Sequence, residues 1–191
     1  MIENLLVGNA WFALGIGVLS YAAGYCLAFY EAYLYHTGAK NHFELGGLYE
    51  LTPGFQHVAD VREITSVKFF GTLLFLSLAI WVLHWFLIHE SDLAEVFVFV
   101  MGGLLLRVAA ASMQHLRNIV LFRYGQKVGH LQGRVQYSKR LVHTLSFVDL
   151  YSFAVLYFLM FSMSESWFFL GGALICLISG LQRSHWTTAY T

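Results

Sequence analysis

Over 191 residues the chain is 58% hydrophobic and only 12% charged, with 11 Lys+Arg against 11 Asp+Glu. That apolar excess is too large for a soluble domain, and a net charge of zero offers no electrostatic footing for nucleic acid. The apolar residues collect into runs near the roughly 20 residues that cross a hydrocarbon core, so an all-α integral membrane protein is expected.

No ten-residue alternation of the barrel type appears. The runs predict a single bundle of five transmembrane helices, at about 5–34, 68–88, 93–116, 144–163 and 166–183. The opening stretch MIENLLVGNAWFALGIGVLS lacks a basic n-region, and its apolar run is too long for a signal peptide, so the first span is expected to be retained. Within it Gly17, Gly24 and Glu31 recur at seven-residue intervals, joined by Ala13 and Ser20. Such a seam of small residues admits a neighbouring helix and sets the Glu31 carboxylate against protein.

The connection at about 37–67 is too long and polar for a simple turn. Thr52 is a plausible cap, Pro53 suits a first helical position, and Phe55, Val58, Val61 and Ile64 follow at three-residue spacing, predicting a short interfacial amphipathic helix. Gln56, His57, Asp60, Arg62 and Glu63 then face water or head groups. His57, Asp60 and Glu63 spread over about 120° of that helix, so they do not converge as metal ligands, and no metal site is expected. His42, Glu44 and Glu50 have no fixed geometry. The second span starts at ITSVKFFG, where Thr65 or Ser66 can cap the first turn.

The third span carries GLLLRVAAASMQHLRN, in which Arg107, Ala111, Gln114 and Asn118 share one helical face. A lipid-exposed arginine there costs about 2.5 to 3.5 kcal/mol, so this face is expected to point at protein or a polar cavity. Counting about 1.5 Å per residue brings Glu31, Arg107 and Asp149 into the same half of the membrane. One cluster of Glu31, Arg107 and Asp149, with Gln114 and Asn118 adding amide hydrogen bonds, is therefore expected. It serves either as a structural ion-pair network or as a binding and conduction site.

The connections HESD at 89–92 and SES at 164–166 lack Lys and Arg, whereas the connection at about 117–143 carries Arg117, Arg123, Lys127, Arg134, Lys139 and Arg140. The positive-inside rule makes this loop cytoplasmic, together with Lys40, Arg62, Lys68 and Arg183. The expected topology has the amino terminus outside and the carboxyl terminus inside, in the plasma (cytoplasmic) membrane. The cations at that face would attract anionic lipid, each contributing about 1 kcal/mol. The tryptophans lie mostly near span ends, as interface anchors do.

Among 9 histidines, His36, His115 and His143 sit near the inner ends of three spans and suit proton transfer or, less directly, haem b ligation; no other cofactor is expected. Cys26 and Cys176 lie inside apolar runs and read as small hydrophobes. Catalytic motifs are lacking, so no catalytic residue is assigned. The leading expectation is a non-enzymatic small polytopic protein, a homo-oligomer or a subunit of a membrane complex, with an ion or small-solute pathway at the polar cluster. The alternatives are an enzyme acting on a lipid or lipid-linked substrate at the inner leaflet, with Arg107 holding a phosphate or carboxylate, and a haem-carrying redox subunit.

Overall fold

The structure, a computed structural model, describes residues 2–41, 43–45, 67–127 and 135–188. Six α-helices make up nearly all of it: α1 (Ile2–Gly8), α2 (Ala10–Thr37), α3 (Val67–His84), α4 (Ala94–Lys127), α5 (Lys139–Ser164) and α6 (Trp167–Thr188). α3 continues into a π-helical stretch, Trp85–Glu90, so its apolar span is Val67–Glu90. Five helices, all but α1, are long and apolar enough to cross a membrane. The chain is a polytopic helical membrane protein.

Local chemistry moves several boundaries. The first span does not start at residue 5. Asn9 adopts an extended conformation, and its side chain accepts from Phe12 N at 3.1 Å, which caps α2 and leaves α1 as a separate turn. The third span outruns its expected end at 116, because α4 is one unbroken helix of 34 residues. At 1.5 Å per residue it is about 50 Å long, against about 30 Å of hydrocarbon, so its last turns carry Arg117, Arg123 and Lys127 out of the apolar zone. Ser138 caps α5 by accepting from Leu141 N at 3.2 Å, so the helix starts at Lys139, five residues before the expected 144.

A second departure lies in the connections. Phe43–Leu45 (β1) pairs in parallel with Val135–Tyr137 (β2), with Phe43 opposite Val135, so the two polar connections are stitched together by a feature that helical periodicity does not announce. The expected interfacial helix and its residues from Thr52 to Glu63 lie outside the described residues, as do the candidate caps Thr65 and Ser66.

α4 is the spine. α6 packs along both α4 and α5, and α2 along α4, while α3 leans on α2. Glycines set the closest approach: a Cβ on Gly102 would strike the Phe168 carbonyl, and one on Gly171 the Phe99 carbonyl, so α4 and α6 touch backbone to backbone. Around that crossing Phe97, Met101 and Phe168 are buried with Leu6 and Leu87. Further along, Ala110, Leu150, Ala154, Tyr157, Ala173 and Cys176 join α4, α5 and α6. At the opposite end from α1, Leu34, Tyr35, Phe43, Ile119 and Phe122 tie α2 and β1 to α4.

The helix directions sort charge by end. Glu3, Glu90, Asp92, Glu95 and Glu165 lie at the α1 end, where no Lys or Arg falls among the described residues, while the described cations outside the spans gather at the other. We call these the acidic and basic ends. Trp11, Trp85 and Trp167 are exposed near the acidic end, as an interfacial belt requires.

Candidate functional site

The small-residue seam of α2 works as its spacing suggests. A Cβ on Gly17 would meet Ile80 of α3, and one on Gly24 would sit 3.4 Å from Val108 and 3.6 Å from Ser112 of α4. Two turns further on, Glu31 is buried against α4 with 3% exposure. Its partner there is His115, whose Nδ1 lies 2.5 Å from Oε2, while Asn118 Nδ2 donates to Oε1 at 2.7 Å. Both carboxylate oxygens are thus satisfied inside the bundle, which is the condition for burying a charge without a large penalty.

Around this pair the basic end of the α2 and α4 seam is closed by directional contacts. Arg123 donates to the Tyr30 hydroxyl at 2.6 Å and lies 5.5 Å from the centre of its ring. Gln126 Nε2 donates to Leu34 O at 2.8 Å, satisfying one of the carbonyls that α2 leaves open at its carboxyl end. These contacts hold α2 and α4 in register, so Glu31 and His115 do not depend on their own bond to stay together.

Asp149 forms a second centre. Arg117 Nη1 lies 2.5 Å from its Oδ2, and Gln114 Nε2 reaches the same oxygen at 3.4 Å and Ser146 O at 3.5 Å. The side chains of Arg117 and Asp149 are 47% and 26% exposed, so this pair sits at the mouth of the bundle rather than inside it. Gln114, His143 and Ser146 behind it are buried.

Arg107 joins neither centre. Its Nε donates to Ser179 Oγ of α6 at 3.2 Å, with Cys176 beside it. The expected grouping of Glu31, Arg107, Asp149, Gln114 and Asn118 therefore exists as three separate sites, on α2, α6 and α5. The reason is geometric. Eight residues separate Arg107 from His115 along α4, about 12 Å, and the two point about 80° apart. Depth counting along each span could not say which neighbour each face of α4 meets.

No family model, curated protein or solved structure matches the chain. The chemistry of the sites is therefore argued from their geometry alone. One hydrogen bond links Nδ1 of His115 to Oε2 of Glu31, with the imidazole as donor or acceptor according to its tautomer.

The other histidine candidates fall elsewhere. His143 is buried on α5, and His36 is half-buried in the last turn of α2, its ring edge-on to Tyr35 at 5.7 Å. Among the described residues no group of three His, Cys, Asp or Glu converges as a metal site. Sequence reasoning missed two participants: Arg117, read only as a topology cation, and Ser179, whose hydroxyl gave no periodic signal.

Proposed function

We propose that this membrane protein provides an ion pathway in which Glu31 and His115 form the proton-binding site, loaded from the basic end. The observation that carries the reading is the burial of an acid and an imidazole in direct contact within a transmembrane interface. Ionisable groups in such positions commonly mark proton relays. The positive-inside rule makes the basic end cytoplasmic, and the exposed Arg117 and Asp149 pair flanks the approach from that side.

The bundle is closed on the far side of the site. Gly24 lies against Val108 and Ser112, and the glycines of α4 and α6 touch backbone to backbone nearer the acidic end. The Arg123–Tyr30 and Gln126–Leu34 contacts close the seam on the basic side as well, so passage in this reading requires a second conformation in which the seam parts. The long apolar faces of α3 and α5, with Phe70, Leu74, Phe75 and Leu159 more than half exposed, face lipid or further chains of an assembly in this reading.

The test is proton uptake into vesicles of purified protein with an internal pH dye, driven by an imposed potential. The wild type is expected to acidify the lumen well above protein-free vesicles. Glu31→Gln keeps the amide contacts but removes the titrating carboxyl group, and uptake should fall to the protein-free rate. Uptake by folded Glu31→Gln equal to wild type would sink the reading.

A further inference from the structure

Towards the basic end, the Glu31 and His115 pair is covered by rings. Past Glu31, α2 presents Leu34 and Tyr35; past His115, α4 presents Ile119 and Phe122, and these side chains pack into one buried cluster. The two helices run in the same direction, so all four residues lie between the pair and the basic end. The cover is completed by a residue of neither helix, Phe43 of β1. Phe43 is 2% exposed and Phe122 1%, and the Phe122 ring centre lies 5.7 Å from those of both Phe43 and Tyr35. Rings in contact at that spacing exclude water from what lies beneath them.

The parts of this cover are not equally fixed. Tyr35 and Phe122 ride on the long helices that carry the site. Phe43 rides on a strand of three residues, paired in parallel with β2 in the connection that leads into α5. A two-stranded pair so short has little stability of its own, so β1 is the part that leaves while the helices stay whole. Once Phe43 withdraws, Phe122 loses an aromatic neighbour and its ring is freer to change rotamer. Parting the seam at this end then breaks side-chain hydrogen bonds, Arg123 to Tyr30 and Gln126 to Leu34, but no helical turn.

We propose that Phe43 is the movable part of an aromatic gate, completed by Tyr35 and Phe122, which closes the Glu31 and His115 site from the basic end and opens when β1 withdraws. The role of the gate in transport rests on the proton-site reading above, whereas the cover over the pair does not.

The experiment therefore reads the cover and the transport separately. Ile119 is buried one turn past His115, so Ile119→Cys reports on water reaching the space behind Phe43. The full chain, with Cys26→Ser to remove the exposed thiol, is placed in nanodiscs and treated with a charged methanethiosulfonate reagent, which does not cross lipid. Cys176, fully buried in the interface of α4, α5 and α6, serves as the internal control. Phe43→Ala should speed labelling of Ile119→Cys by about tenfold or more, because loss of a buried ring favours the open form by at least that factor. Phe43→Leu should speed it far less, and Cys176 should stay unlabelled throughout. Equal labelling with Phe43 and with Phe43→Ala overturns the proposal. So does concurrent labelling of Cys176, which would mean that the whole bundle has loosened. In vesicles, Phe43→Ala should take up protons faster than wild type, and adding Glu31→Gln should return the rate to that of protein-free vesicles. Uptake that survives Glu31→Gln would mean a leak around the site and also overturns the gate. The expected labelling with no uptake by any variant would uphold the cover and sink the proton pathway instead.

Discussion

At the scale of single residues, the two carboxylates in the spans do different work because their surroundings differ. Glu31 is held in a dry interface by an imidazole and an amide, whereas Asp149 meets Arg117 where water competes. A charge-assisted hydrogen bond away from water is worth about 1.5 to 3 kcal/mol, an exposed ion pair about 0.2 to 1 kcal/mol. Double-mutant cycles in detergent, Glu31→Gln with His115→Ala against Asp149→Asn with Arg117→Gln, should return the larger coupling for the first pair. Equal couplings would mean that water reaches Glu31 freely. Both carboxylates were legible in the sequence as anomalies within apolar runs, but their partners were not. His115 and Arg117 are two residues apart on α4, about 200° around the helix, and only the neighbours' positions decide which carboxylate each meets.

At the scale of elements, the α4 and α6 crossing is held by absent side chains. The pairs at 102–103 and 171–172 read in the sequence as generic small residues for close contact. In the structure their tolerance is unequal. A Cβ on Gly171 meets backbone at Phe99, which cannot turn aside, whereas a Cβ on Gly17 meets the flexible end of Ile80. Gly171→Ala should therefore destabilise the bundle by about 1 to 3 kcal/mol in reversible unfolding, the usual penalty of overpacking, and Gly17→Ala by much less. A null result at Gly171 would show that the helices slide apart at little cost. The crossing lies between the acidic end and Arg107.

At the scale of the whole molecule, the charge distribution divides the protein into two ends. Reporter enzymes fused after residues 40 and 130 should both read cytoplasm, and one after residue 91 the opposite side. If the acidic end proved cytoplasmic, the direction of loading proposed for Glu31 would reverse. The β1 and β2 pairing links the two connections at the basic end, so α2 is tethered to α5 outside the membrane as well as to α4 within it.

The sequence by itself determined the class of molecule, the number of apolar helices and the segregation of its charge, because hydrophobic run length and the cost of unpaired backbone in lipid are local properties. It also marked Glu31, Arg107 and Asp149 as residues that must face protein. It placed the first helix start too early, since Asn9 competes locally with a continuous apolar run, and ended the third span by hydropathy where the helix runs on into water. Only the tertiary structure decided that Arg107 meets Ser179, while Glu31 meets His115. A helix buried on three sides offers every polar residue several neighbours, and the choice among them is set by crossing geometry, which no periodicity along one chain segment encodes.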